Sequence, residues 1–157
     1  WAVLIGVDGD SSTHGCVTSA LLMKRYLIEE LYVPKSNIQC LLSPSKWDHL
    51  SDTALRPTCK NIIGTICGLI HNADILKDDI IIIYFAGNSL SVPCRGQYEH
   101  DGTPKEYKSR IECLIPIDAK DPSSGIDPSL LISDREISSI LTELCRKKGH
   151  RITFIVD

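Results

Sequence analysis

The chain has 157 residues, 43% of them hydrophobic and 24% charged, and this composition is typical of one compact globular domain. Its formal net charge of -3 and its scattered lysines and arginines exclude the clustered positive charge that nucleic-acid binding requires. No apolar run approaches the roughly 20 residues needed to cross a bilayer, so we expect neither nucleic acid nor a membrane as a partner.

The first half of the chain alternates apolar strands with amphipathic helices. Residues 1–7 form a continuous apolar run, which predicts a strand buried on both faces. From Val17 a three-four spacing of apolar residues predicts a helix of about four turns, which Pro34 ends because it has no backbone donor. The predicted apolar face of this helix consists of Ala20, Leu21, Leu27, Ile28 and Leu31.

A second strand and a second helix follow. Residues 38–42 predict a short strand, and Pro57 is expected to open the next helix, since proline is tolerated in a first turn. The apolar face of that helix comprises Cys59, Ile62, Ile63, Ile66, Cys67 and Ile70. This pattern predicts that both of its cysteines fill the core.

The most hydrophobic stretch of the chain, residues 79–86, is rich in β-branched residues and predicts a central parallel strand. Residues 90–110 are polar and lack periodicity, which predicts a long, irregular loop that is either functional or mobile. Residues 112–117 predict a short strand after it. The polar exit at the end of the central strand is therefore the first place to look for a site.

The last helix and strand have clear boundary signals. Ser133 and Glu136 form a capping box, which predicts a helix start, and Gly149 is placed to end that helix. Residues 151–156 predict a final strand. The order of strands and helices predicts an α/β fold in which a parallel sheet carries helices on both faces. In such sheets the site lies at the carboxyl ends of the strands.

The chain contains seven cysteines, an odd number, and none of them belongs to the C-x-x-C pair typical of a zinc or redox site. This usage favours free thiols in a reducing compartment. We therefore expect a cytoplasmic protein, with a nuclear location left open.

Six segments of the chain stand out in order: W-A-V-L-I-G-V, H-G-C-V-T-S-A-L-L-M, D-D-I-I-I-I-Y-F-A-G-N-S, E-C-L-I-P-I-D, I-S-D-R-E-I and H-R-I-T-F-I-V-D. Together they resemble the segments of caspase-like cysteine peptidases, and most closely those of fungal metacaspase-like proteins. The resemblance runs from Trp1 to Asp157 and implies a caspase-like three-layer sandwich with a mainly parallel sheet. It also implies that residues 1–157 are the N-terminal, large-subunit-like part of one domain, truncated after the fourth main strand.

Peptidases of this family use a Cys-His dyad, in which a thiolate attacks the scissile carbonyl, an imidazole transfers the proton and backbone N–H groups hold the oxyanion. The resemblance puts Asn88 at the histidine position and Ser89 at the following glycine position, on the oxyanion side. Asp157 matches the aspartate two residues before the nucleophile, and the sequence stops there. Since an amide does not titrate near neutral pH, we expect an inactive domain.

Two interpretations of this pattern stay open. Gly-Asn-Ser after a strand is also ordinary turn chemistry, so Asn88 need not occupy a catalytic position. The resemblance also allows a non-catalytic regulatory module, a pseudoenzyme that binds an active relative. The expected partners are a protein or a peptide, including a second copy of this chain or an active caspase-like relative.

The substrate pocket implied by the resemblance differs from that of typical metacaspases. Their first helix carries G-C-x-N-D-A, whose aspartate joins the one before the nucleophile in a pocket for arginine or lysine. Here Ser19 stands at the first aspartate position, and only Asp157 remains. A neutral hydroxyl gives up most of the charge-assisted recognition of a basic side chain.

Calcium is the only cofactor that the resemblance suggests, since metacaspases often carry calcium-binding aspartates in the corresponding stretch. The candidates are Asp101, Asp118 and Asp121, although their spacing matches no compact calcium loop and Asp118 also suits a strand-end turn. We otherwise predict no cofactor.

Three further residues could carry chemistry near the predicted site. His100 could replace the missing base, but its Glu-His-Asp-Gly setting favours a solvated loop histidine. Cys94 and Cys113 lie outside clear helical core faces, and packing is the favoured interpretation because no base or positive field is evident beside either thiol.

Overall fold

The computed structural model describes residues 1–8, 15–43, 55–93, 110–121 and 125–157. Within these ranges the α-helices are α1 (Cys16–Glu29), α2 (Cys59–His71) and α3 (Asp134–Lys148). The strands are β1 (Ala2–Gly6), β2 (Ile38–Leu42), β3 (Ile81–Ala86), β4 (Ser89–Pro93), β5 (Arg110–Leu114), β6 (Lys120–Asp121), β7 (Gly125–Ile126), β8 (Ile132–Ser133) and β9 (Ile152–Val156). In the part of the chain that the structure describes, no helix has the length and apolar character to span a membrane.

The main sheet has the strand order β2-β1-β3-β9, and all of its pairings are parallel. The register aligns Gly6 with Leu42 and Ala86, and aligns Phe85 with Val156. The carboxyl ends of the four strands therefore meet at one edge of the sheet. The predicted parallel sheet is confirmed.

Helices cover both faces of this sheet, as predicted. On one face α2 and α3 pack over a cluster of buried side chains that consists of Val3, Ile5, Val7, Leu41, Ile62, Ile66, Leu69, Ile75, Ile81, Ile83, Phe85, Ile132, Ile137 and Leu144. On the other face α1 packs over Ala2, Leu4, Ala20, Leu27, Ile38, Tyr84 and Ala86. Alternate residues of β1 and β3 point to opposite faces, which explains why both strands are apolar throughout.

Helix α3 begins and ends where its sequence predicts. The Ser133 hydroxyl accepts from the N–H of Glu136 at 3.2 Å, and the Glu136 carboxylate accepts from the N–H of Ser133 at 2.9 Å. Gly149 caps the other end with φ 94°, a conformation that favours glycine. Both boundary predictions are confirmed.

Helix α2 begins two residues later than predicted. Thr58 is the N-cap residue and its hydroxyl accepts from the N–H of Asn61 at 3.2 Å, so Pro57 precedes the helix and does not open it. Cys59 packs against the core as expected, whereas Cys67 is half-buried and is not part of that cluster.

The predicted apolar face of α1 is wrong at two positions. Leu21 is 40% exposed, and Leu31 is 50% exposed and lies beyond the helix end at Glu29. The predicted positions Ala20 and Leu27 are buried, and Val17 is buried with them. The small Ala20 side chain lets the helix lie close to Gly6 of β1.

A second sheet, β4-β5-β8, corrects two further predictions. The first residues of the predicted 90–110 loop lie in β4, which pairs antiparallel with β5, and residues 94–109 are outside the described part. The strand predicted at 112–117 lies earlier, at Arg110–Leu114, since Ile117–Ala119 forms a 3-10 turn.

Candidate active site

The carboxyl edge of the main sheet brings together three chain segments that are distant in sequence. The N–H of Val7 donates to the carbonyl of Ala86 at 2.8 Å, and the N–H of Asp157 donates to the carbonyl of Phe85 at 2.9 Å. The N–H of Gly87 donates to the carbonyl of Asp157 at 3.3 Å. The ends of β1, β3 and β9 are therefore joined, at the place where parallel sheets hold their sites.

Asn88 lies at this edge, between the end of β3 and the start of β4. It is half-buried, and its carbonyl accepts from the N–H of Ile115 at 3.1 Å. Ser89 follows as the first residue of β4, is exposed and pairs with Leu114. The backbone at Asn88 thus links the main sheet to the smaller one.

Tyr84 connects the two residues of the predicted substrate pocket. Its hydroxyl donates to Oδ2 of Asp157 at 2.5 Å and is hydrogen-bonded to the Ser19 side chain. Ser19 lies on α1, Tyr84 on β3 and Asp157 directly after β9, so three elements supply this cluster. The structure therefore brings Ser19 and Asp157 together around Tyr84, and their role as a substrate pocket stays a prediction.

The environment of Tyr84 holds its hydroxyl in the neutral form. Burial is the largest cause, followed by the hydrogen bond to the Asp157 carboxylate and its charge, and together they raise the pKa of Tyr84 to about 12. The bond to Ser19 acts in the opposite direction. At neutral pH Tyr84 is therefore a hydrogen-bond donor to Asp157. This bond takes up part of the hydrogen-bonding capacity of the Asp157 carboxylate.

A shallow groove of about 320 Å³ opens beside this cluster. Its walls are Ser19, Leu22, Met23, Tyr26 and Tyr84. Leu22 and Tyr26 are about half exposed, at 49% and 51%. Among the described residues, the walls of this groove are therefore mainly apolar and include no Asp, Glu, Lys or Arg side chain.

Asp8 holds the first turn of α1 against the sheet. Its Oδ1 accepts from the N–H of Cys16 at 2.8 Å and from that of Val17 at 3.3 Å, two groups that lack partners within the helix. The N–H of Asp8 donates to the hydroxyl of the buried Ser43, directly after β2. Asp8 thereby fixes the position of α1, and with it that of Ser19.

The Cys16 thiol lies in the field of these carboxylates. Burial, then Asp8 and then Asp157 raise the pKa of Cys16, and Lys120 opposes them. A thiol with a raised pKa carries little thiolate at neutral pH and is a poor nucleophile. Cys16 therefore borders the site without the activation that catalysis requires.

Two of the three predicted calcium ligands, Asp118 and Asp121, lie within the described residues. Asp118 accepts from the N–H of Cys59 at 2.8 Å and so helps to cap α2, and Asp121 lies in β6 opposite Gly125. Asp101 lies outside the described residues. Among the residues that are described, no group of three or more His, Cys, Asp and Glu side chains could hold a metal ion.

Of the three other residues that the sequence singled out, Cys113 lies within the described residues. Cys113 is buried in β5, and burial is the main cause that raises the pKa of its thiol, in agreement with a packing role. Cys94 and His100 lie outside the described residues.

Sequence reasoning missed Tyr84 and Asp8. Side chains alternate between the two faces along β3, so Tyr84 lies on the same face as Ile82 and Ala86, toward α1. This alternation could have predicted that Tyr84 faces α1. Asp8 lies two residues after the end of β1, close to the edge where site residues are expected. Its role as a cap for α1 depends on how the chain returns after the strand, which the sequence does not reveal.

Comparisons with known proteins agree with this architecture. A family model described as metacaspase, peptidase C14 domain, matches residues 1–157. The crystal structure of protein GSU0716 from Geobacter sulfurreducens is similar over 99% of this chain, with a TM-score of 0.58 and 15% sequence identity. This chain spans 47% of that chain, about half its length, and at this identity the similarity supports the fold alone. No curated protein is similar enough to count as a match.

Proposed function

The chain belongs to the metacaspase peptidase C14 domain family, a family of caspase-like cysteine peptidases, and on this premise we propose that it has no peptidase activity of its own and acts by binding a protein or peptide. Two parts of the site support this proposal: the residue after β3 and the cluster around Tyr84.

Asn88 is the observation that carries the proposal. It lies one residue beyond β3, after Gly87, at the carboxyl edge where the family resemblance places the catalytic histidine. An asparagine amide neither accepts nor releases a proton near neutral pH, so it cannot act as general base or general acid. Loss of that role alone typically lowers a rate by on the order of 100- to 10,000-fold. The resemblance places the nucleophile after Asp157, outside this sequence, so the proposal depends on Asn88.

The cluster around Tyr84 supports recognition of an uncharged side chain. Ser19 supplies a hydroxyl where the resemblance expects a carboxylate, and the remaining carboxylate of Asp157 already accepts from Tyr84 at 2.5 Å. An arginine or lysine side chain would meet one carboxylate, which already accepts from Tyr84, where typical metacaspases offer two. The adjoining groove along α1 offers apolar walls to an uncharged residue.

The test is a turnover assay with fluorogenic peptides that end in arginine, lysine or aspartate, with calcium and with a chelator. We expect no cleavage above the background of a heat-unfolded sample. The assay uses the full protein, so that the segment after Asp157, where the resemblance places the nucleophile, is present. Asn88→His and Asn88→Ala are the matched variants. Robust cleavage by the unmodified chain that persists with the chelator and survives Asn88→Ala would refute the proposal.

A second role, regulation of an active relative, is favoured by the apolar wall that the half-exposed Leu22 and Tyr26 form beside the cluster around Tyr84, since exposed apolar surface is typical of protein-binding sites. The purified chain is added in increasing amounts to an active metacaspase during peptide cleavage. A saturable change in rate supports this role. An unchanged rate at tens of micromolar excludes it for that enzyme.

A further inference from the structure

The three polar side chains around Tyr84 form a hydrogen-bond chain that runs in one direction. Tyr84 has a single O–H group, and this group donates to Oδ2 of Asp157 at 2.5 Å. The Ser19 hydroxyl is hydrogen-bonded to the same phenol oxygen, so Ser19 is the donor in that contact. Both hydroxyl protons of the cluster are therefore used within it.

The sheet and α1 fix the positions of these side chains. The N–H of Asp157 donates to the carbonyl of Phe85, and the carbonyl of Asp157 accepts from the N–H of Gly87. The backbone of Asp157 thus continues the pairing of β9 with the β3 segment. Tyr84 is 5% exposed within β3, and Ser19 lies in the first turn of α1, which packs on the sheet. The cluster is therefore held by paired backbone and a packed helix.

This cluster offers a ligand acceptors and no donors. Because both of its O–H groups are already bonded, what remains are the lone pairs of the two hydroxyl oxygens and of the Asp157 carboxylate. A carboxylate side chain brings no donor and would meet the negative charge of Asp157. An aliphatic side chain would cover these acceptors without pairing them, which costs free energy. A suitable ligand must therefore bring N–H or O–H groups.

Lys120 brings a positive charge of the chain itself to this edge of the sheet. It follows the Ile117–Ala119 turn, whose first N–H donates to the carbonyl of Pro57 just before α2. Burial raises the pKa of Cys16 most, the charge of Asp157 raises it further, and the charge of Lys120 lowers it. Lys120 thus opposes the charge of Asp157 at the same thiol, so a cationic ligand gains less there than beside a lone carboxylate.

We propose that the cluster of Ser19, Tyr84 and Asp157 binds a side chain that ends in a primary amide, a glutamine or an asparagine of a protein or peptide. This inference rests on the proposed binding function and names the ligand that suits its site. A primary amide is uncharged and carries two N–H donors on one nitrogen, one for the Asp157 carboxylate and one for the Ser19 oxygen. A hydroxyl side chain has a single donor and satisfies only one of them.

The test measures the binding of fluorescent hexapeptide pools to the full protein by anisotropy. One position of each pool is fixed as glutamine, asparagine, leucine, arginine or glutamate, and the other positions are random. The two amide pools should bind roughly 10-fold more tightly than the leucine pool, since the amide bonds to a charged acceptor that leucine leaves unpaired. They should also bind more tightly than the arginine and glutamate pools.

Variants of the cluster and of Lys120 show which group sets the preference. Ser19→Ala removes one acceptor and should reduce the preference for glutamine over leucine by roughly 5-fold. Thr18→Ala changes the exposed neighbour in α1 and should leave the preference unaltered. Ser19→Asp adds a carboxylate and should turn the preference toward arginine. Lys120→Met removes the charge and keeps an unbranched side chain, so the affinity for the arginine pool should rise. Circular dichroism checks that each variant is folded.

The outcomes separate this specificity from the proposed function. Equal binding of all pools, or a preference of the unmodified protein for arginine, would overturn the amide specificity and leave the binding role in place. Mass spectrometry of the same samples detects cleavage, which would refute the proposed lack of peptidase activity whichever pool binds best. The absence of binding by every pool would overturn both. A preference for arginine that arises only with Ser19→Asp or Lys120→Met supports the proposal.

Discussion

The two faces of the main sheet differ in what they bury. The α2–α3 face holds a cluster of 14 buried residues, almost all large and aliphatic, whereas the cluster on the α1 face holds seven, three of them alanine. Apolar burial is the main source of stability, so the larger cluster stabilises the fold more. The small residues of the other face let α1 lie close to the sheet, and the polar cluster of Ser19, Tyr84 and Asp157 lies there.

This contrast indicates that one face of the sheet mainly stabilises the fold and the other mainly carries the site. A side chain of β1 or β3 contributes to the larger core or to the site according to whether its position is odd or even. Substitutions on the α2–α3 face should therefore lower stability most. Substitutions on the α1 face should change the site at a smaller cost in stability.

The largest expected effect belongs to Phe85, which is fully buried on the α2–α3 face. Phe85→Ala should lower the free energy of unfolding by about 3–5 kcal/mol, because it removes a large apolar side chain and leaves a cavity. Urea unfolding followed by circular dichroism measures this. The control is Leu22→Ala on the exposed side of α1, which should stay within about 0.5 kcal/mol of wild type. A loss below 1 kcal/mol for Phe85→Ala would contradict the proposed contrast between the faces.

A smaller effect is expected from Gly6, which sets the distance between α1 and the sheet. A Cβ at this position would lie 2.9 Å from Cα of Val17 and 3.0 Å from the carbonyl oxygen of Cys16, both backbone atoms of the helix. Gly6→Ala should therefore displace α1 and lower the free energy of unfolding by roughly 1–3 kcal/mol.

Gly64 of α2 is the matched control, since a Cβ there meets no atom within 4 Å. Gly64→Ala should raise the free energy of unfolding by roughly 0.5–1 kcal/mol, because alanine is the better helix former. If both alanine variants had the same effect, the close approach of α1 to β1 would not be a constraint on the fold.

Signals within a few residues of one another predicted the fold well. The β-branched run of β3 and the capping box of α3 each determine an element locally, and both predictions are confirmed. Strand β4 has the sequence S-L-S-V-P and pairs with β5, which is distant in sequence. Its serines alternate with Leu90 and Val92, but an alternation over four residues is too short to predict that pairing.

The residues of the site were likewise harder to predict where their contacts join distant parts of the chain. Ser19 and Asp157 could be placed in one pocket through the family resemblance, and the structure brings them together around Tyr84. The contact of Tyr84 with Asp157 joins residues 73 positions apart, and the cap that Asp118 gives to α2 spans 59. Contacts of this range depend on the arrangement of strands, so local patterns cannot reveal them. The catalytic correspondence of Asn88 remains a prediction.

Tyr84→Phe tests the α1 face of the sheet, and its expected effect on the free energy of unfolding is smaller. It removes the bond to Asp157 and should lower the free energy of unfolding at pH 7 by about 1 kcal/mol. The raised pKa of about 12 means that the folded state favours the neutral phenol. The stabilisation from this group is therefore complete below pH 10 and declines as the pH rises from 10 through 12.

Urea titrations of wild type and Tyr84→Phe from pH 9 upward should show the wild-type advantage shrinking over that range. Ultraviolet titration of the phenols provides the control, because a late-ionising component should be present in wild type and missing in the variant. An advantage that grew with pH would contradict the assigned direction of the shift.

The smallest expected change concerns the reactivity of Cys16 and should leave stability almost unaltered. Burial is the main cause of its raised pKa, and the charge of Asp157 is one of the lesser causes. Asp157→Asn removes that charge, so the thiolate fraction and the rate of alkylation by iodoacetamide at pH 8 should rise. Peptide mass spectrometry assigns the modified cysteine. Cys113, whose raised pKa owes nothing to Asp157, serves as the internal control. An equal acceleration at both thiols would indicate general loosening of the fold, whereas acceleration at Cys16 alone would show that the field of the site acts on the α1 face only.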